Sequence, residues 1–119
     1  MDFMDLTFQA GGDLSGKQYY FVKMDSDQQV ILCTAATDKV IGILQNKPQG
    51  GEAATVRILG RSKVVADAAL AIGDIISTQT DGQAQVVAAT EYSKGIVIKA
   101  VSNAAEVAEV ILIPFALTA

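Results

Sequence analysis

Apolar residues in this chain recur with a period of two, in short β-branched runs, and turn signals separate the runs. That pattern admits β-strands and leaves little room for a long amphipathic helix. QYYFVKM, residues 18–24, reads as a strand; DSDQ turns the chain, and QVILCTA reads as its partner. KVIGILQ is the next strand, and TVRILGRSKVV follows with Gly60 inside it, which suits a bulge or sharp bend. In DIISTQTDGQAQVVA, Asp81-Gly82 signals a hairpin, expected as a type I′ turn with positive φ at both central residues. GIVIKAV and EVAEVILIPF close the chain as one more pair, and Pro114 ends regular pairing or marks an edge. The Ala-rich ADAALA has helix propensity, but Gly73-Asp74 follows at once, so a loop or a single helical turn is expected. The expected fold is all-β: a small β-barrel or β-sandwich of hairpins with an extended N-terminal arm and at most one short helix.

One stretch echoes another. KVIGILQNKPQGGEAATVRIL can be laid on YSKGIVIKAVSNAAEVAEVIL, with Gly42 on Gly95 and Glu52 on Glu106. The offsets are 95 − 42 = 53 and 106 − 52 = 54, so one extra residue sits in the second connection. Both copies run glycine, apolar strand, small polar turn, Glu, alternating apolar strand, and both are expected to be β-hairpins.

This echo bears on the loop NKPQGG. A phosphate-binding loop needs a strand before it, a helix after it and a lysine behind its glycines. Here Lys47 precedes Gly50 and Gly51, and a β-pattern follows. Lipoyl-type and biotinyl-type carriers are similar in size and β content. Their modified lysine lies in a tight turn flanked by acidic or Met residues, which Asn46-Lys47-Pro48 lacks. The loop therefore reads as an exposed connection, with Lys47 available for contact between subunits.

Composition excludes much else. The chain has no His, so the commonest general base and metal ligand are missing. Cys33 is the only cysteine and sits in VILCTAA, which reads as a buried small apolar position rather than a nucleophile. The carboxylates are dispersed, and DSDQQ lacks the glycine and the terminal Glu of a calcium loop. A net charge of −4, with 6% aromatic residues, argues against nucleic acid. The start, MDFMDLTFQAGGD, lacks the basic region of a signal peptide, and no apolar run reaches membrane-span length, so a soluble chain is expected. The expectation is a non-enzyme with no metal, no cofactor and no small-molecule substrate.

Two groups remain as contact candidates. Residues 1–16 differ from the domain at 17–119: Phe3, Met4, Leu6 and Phe8 are large apolar residues among Asp, Gly and Ser. They form either an edge strand of the same domain or an arm that docks on a partner by strand addition. Arg57, Arg61 and Lys63 would share one side of an alternating strand as a basic stripe, either solvated or facing an acidic partner surface.

The run GRSKVVADAALAIGDIISTQTDGQAQVV followed by YSKGIVIKAVSNAAEVAEVILIP resembles the capsid cement (head decoration) proteins of tailed bacteriophages. The likeness rests on Gly60, Val64-Val65, Asp67–Ala71, Gly73-Asp74, Asp81-Gly82, Gly95 and Val110–Ile113. The resemblance implies a β-rich homotrimer on the outer surface of the expanded head, bridging neighbouring major capsid proteins, with no catalytic residue to carry over. Another virion β-module, such as a head-fibre base or tail component, is the runner-up; a small carrier or ligand-binding barrel comes third.

Overall fold

The computed structural model describes residues 3–87 and 92–117. Its strands are β1 (Phe3–Gln9), β2 (Phe21–Met24), β3 (Val30–Leu32), β4 (Gly42–Leu44), β5 (Ala53–Val65), β6 (Ile75–Thr78), β7 (Ala84–Val86), β8 (Tyr92–Lys99) and β9 (Val107–Leu117). All nine belong to one sheet whose ladders are antiparallel, and the described residues contain no helix. The all-β expectation holds, and ADAALA is a loop, as its following Gly73-Asp74 indicated. Gly73 supplies φ +89, and the Asp74 carboxylate accepts the Ala71 amide at 2.9 Å.

The echo seen in the sequence extends over nearly the whole chain. The β2–β3 pairs Val22–Leu32, Lys23–Ile31 and Met24–Val30 recur in β6–β7 as Ile76–Val86, Ser77–Gln85 and Thr78–Ala84, where 76 − 22 = 54. The β2–β4 pair Val22–Gly42 recurs in β6–β8 as Ile76–Gly95. The β4–β5 pairs Ile43–Arg57 and Leu44–Val56 recur in β8–β9 as Ile96–Ile111 and Val97–Val110. Even β1 has a counterpart: its ladder with the start of β5, from Asp5–Arg57 to Gln9–Ala53, recurs as Arg61–Ile111 to Val65–Val107, where 65 − 9 = 56.

The chain is thus two copies of one five-stranded unit. The start of β5 is the last strand of the first unit, and its end is the first strand of the second. Gly60 sits at this junction with φ +95, beside a register shift in the β1–β5 ladder, as expected of a bulge. In each unit a parallel bridge joins the first strand's end to the third strand, Ala10 to Val30 and Ala66 to Ala84, and so curls the ladder into a small, half-closed barrel.

Each barrel fills its own interior. Ala10, Leu14, Val22, Val30, Leu44, Ala54 and Val56 form one buried cluster. Their counterparts, Ala66, Leu70, Ile76, Ala84, Val97, Ala108 and Val110, are all buried in the other. That second cluster also takes in Phe21, Cys33, Val40 and Ile43 from the outer wall of the first barrel, so it joins the two.

Three expectations need correction. Gln18 to Tyr20 is not strand: Tyr19 has φ +70 and its amide donates to the Leu44 carbonyl, so β2 starts at Phe21. The Asp81-Gly82 hairpin exists, but not as a type I′ turn. Gln79 N–H donates to Gln83 O at 2.7 Å around a three-residue loop in which Gly82, and not Asp81, has positive φ. The N-terminal segment is laid on β5 through a ladder from Phe3 to Gln9, so these residues take the edge-strand reading rather than that of a free arm. Pairing with β5 satisfies backbone groups that an arm would leave to water.

Candidate interaction surface

The structure divides the apolar N-terminal residues between two faces, because side chains alternate along β1. Phe3 joins the cationic residues of β5. The Arg57 guanidinium lies 3.6 Å from the centre of the Phe3 ring. It also grips Asp5 through two bonds, Nε to Oδ1 at 2.8 Å and Nη2 to Oδ2 at 3.1 Å. Arg61 pairs with Glu109 at 3.0 Å, and Lys63 Nζ stands 5.8 Å from the Tyr19 ring centre. Phe3, Arg57, Arg61, Lys63 and Glu109 line one shallow depression of about 240 Å³. The stripe is therefore real, but both arginines are engaged by carboxylates of the same chain. It is a mixed-charge face and not a free basic one.

On the other side of β1, Leu6 and Phe8 line a larger apolar groove of about 410 Å³ with Val40, Ile41, Ile58 and Leu59. Met4 and Leu6 are 48% and 43% exposed, more than an edge strand requires for its own fold. Lys94 from the second barrel reaches the groove, and burial holds its ammonium below the usual lysine range.

Lys47 stands apart. It is exposed in the connection between β4 and β5, beside the first residues of β5, whereas Lys63 lies near the other end of that strand. The connection is pinned throughout. Asn46 bonds Ala53 O and Thr55 N, Glu52 accepts the Gln49 amide at 2.7 Å, and the Pro48 carbonyl accepts the Leu14 amide at 2.9 Å. These bonds tie the loop to the fold and leave the Lys47 side chain exposed. The echo's second Glu does the same work: Glu106 accepts the amides of Asn103 and Ser102 at 2.7 and 3.0 Å.

Cys33 is buried, and burial pushes its thiol up to about 12, so it is a core residue. Among the described residues no group of three or more His, Cys, Asp or Glu is placed to hold a metal ion, and no helix is long and apolar enough to cross a membrane.

Sequence reasoning missed a group of exposed apolar residues. Ile75, Val86, Ile96 and Ile111 all lie on the second barrel with 41–52% of their surface open. Its signal was available in the echo, since Ile96 and Ile111 occupy the places of Ile43 and Arg57.

No family model and no curated protein sequence matches the chain. Among solved structures, the N base of the head fiber protein gp8.5 of bacteriophage phi29 is similar. The match covers 98% of each chain at a TM-score of 0.70, with 15% sequence identity. At that identity the likeness is one of fold, and it takes in both barrels.

Proposed function

We propose that this chain is a structural subunit of a phage virion: a decoration, or cement, protein on the outer surface of the head. The observation that carries the proposal is the end-to-end structural likeness to a phage head-fibre base. The resemblance of residues 40–114 to head decoration proteins points the same way. In this reading the subunit is a homotrimer that bridges neighbouring major capsid proteins and acts without catalysis, cofactor or nucleic acid. Exposed apolar and mixed-charge faces supply weak contacts, which repetition over a shell converts into strong attachment. A second reading, the base of a head fibre, is favoured by the identity of the structural neighbour itself. In that case the same trimer would carry a fibre rather than clamp the shell.

Adding purified protein to expanded heads that lack it tests the cement role. Decorated heads should withstand heat or chelator that opens bare ones. Binding without any gain in resistance would favour the fibre base, and no binding would overturn both.

A further inference from the structure

The two barrels of one chain touch through contacts that have a direction. The outer wall of the first barrel faces the second: Phe21 and Ile43 are fully buried in the same cluster as Val64 and Leu112. The Phe21 amide donates to Gly82 O at 2.8 Å, and the Val65 amide donates to Tyr19 O at 2.9 Å. Gln45 Nε2 donates to Ser62 Oγ at 2.9 Å, and Leu32 lies against Gly82.

Each side of this contact has a counterpart that the chain leaves open. The counterparts of Phe21, Leu32 and Ile43 are Ile75, Val86 and Ile96 (75 − 21 = 54, 86 − 32 = 54, 96 − 43 = 53), and they are 43%, 52% and 41% exposed. The counterparts of Ser62, Val64 and Leu112 are Leu6, Phe8 and Ile58, and these line the open groove. A wall of the kind that is covered within the chain is bare at one end. A seat of the kind that is filled within the chain is left open in the groove, which Val40 and Lys94 also line.

One tight point of the contact differs in its repeat, where the facing strands must stand further apart. Within the chain Gly82 meets Leu32 so closely that a Cβ there would fall 2.6 Å from a leucine methyl. The counterpart pair is Gln28 and Val86, a larger residue facing a smaller one (28 = 82 − 54, 86 = 32 + 54).

We propose that the exposed pair Ile75 and Ile96 of one copy, with Val86 at its margin, docks into the groove of Leu6, Phe8 and Ile58 in a second copy of this chain. The contact between barrels is thereby repeated between chains. It rests on the self-association in the reading above, and it adds which surfaces make it. The contact is head-to-tail, so it closes into a ring or grows as a filament, according to the rotation per step.

Light scattering on the wild type, Ile96→Asp and Leu6→Asp tests this. Both positions are exposed, and circular dichroism would verify that each variant keeps its fold. The wild type should form a multimer, and each variant should fall to the 12.5 kDa of a single chain. An equimolar mixture of the two variants should form a two-chain species, because one intact wall then meets one intact groove and neither chain can extend. As a second measurement, Gln28→Cys with Val86→Cys in a Cys33→Ser background should give covalent multimers on oxidation with diamide, and each single-cysteine variant should not. A multimeric wild type whose mass neither variant changes would overturn these surfaces and leave self-association standing. A wild type that stays single and a double variant that does not cross-link would overturn both.

Discussion

Gly42 and Gly95 stand at the same point of the two barrels, each with its Cα against a carbonyl of the facing strand. A Cβ on Gly42 would collide with the Arg57 carbonyl, and one on Gly95 would fall 2.7 Å from the Ile111 carbonyl. Arg57 and Ile111 are themselves counterparts, since 111 − 57 = 54. The glycine is required here by close approach of two backbones. Gly42→Ala and Gly95→Ala should each destabilise the fold by about 1–3 kcal/mol, as overpacking does. Urea midpoints would show it, and an unchanged midpoint for both would remove this reason for the echo.

The two units also share backbone conformations that their residue types conceal. Positive φ falls at Tyr19 and Gly73, at Gln28 and Gly82, and at Gly51 and Ala105, each pair 54 residues apart (73 − 19, 82 − 28, 105 − 51). The last pair allows a matched test. Gly51→Ala should cost roughly 1 kcal/mol, because a Cβ is strained in the left-handed region. Ala105→Gly should return part of that strain and stabilise by roughly 0.5 kcal/mol after the entropy of glycine is counted. Opposite shifts in the denaturation midpoint are expected; shifts of the same sign would contradict the pairing.

Much of the fold was legible because its signals are local. Period-two apolar runs gave the strands of both hairpins, and Gly60, Gly73 and Gly82 marked bends that the structure contains. What stayed hidden was the duplication beyond residues 39–59 and their echo. Tyr19 and Gln28 do at one end what Gly73 and Gly82 do at the other, so the turns look unrelated in sequence. The strand β5 hid it further, because it serves both units without a break. The site was legible in part. Phe3, Arg57, Arg61 and Lys63 do come together, but the ion pairs of Arg57 with Asp5 and Arg61 with Glu109 depend on strand register across 52 and 48 residues.

The Arg57 cluster holds β1 in place. Arg57→Ala would remove the Asp5 pair and the stack on Phe3, both partly exposed and together worth about 1 kcal/mol. Amides of β1 should then exchange several-fold faster, while those of β6 and β8 stay unchanged. Uniform acceleration would mean that Arg57 supports the whole fold rather than the edge.

Asp38 gives the chain a specific acid sensitivity. Partial burial alone would raise its pKa, but the Lys23 ammonium at 2.9 Å and the amides of Thr34 and Ala35 outweigh it and hold the carboxyl below its usual range. A depressed carboxylate stabilises the fold above its unfolded pKa, and that contribution is lost as pH falls through the folded value. Asp38→Asn should be less stable than wild type near neutral pH, and the gap should close between about pH 5 and pH 2. A gap that stays constant with pH would show that the charge of Asp38 does not contribute to stability.

The decisive measurement is cryo-electron microscopy of phage heads made with and without this chain. The expected result is difference density on the outer head surface, at symmetric points between major capsid proteins, large enough for three chains of two barrels each. Density confined to the tail, or no difference at all, would contradict the proposed role.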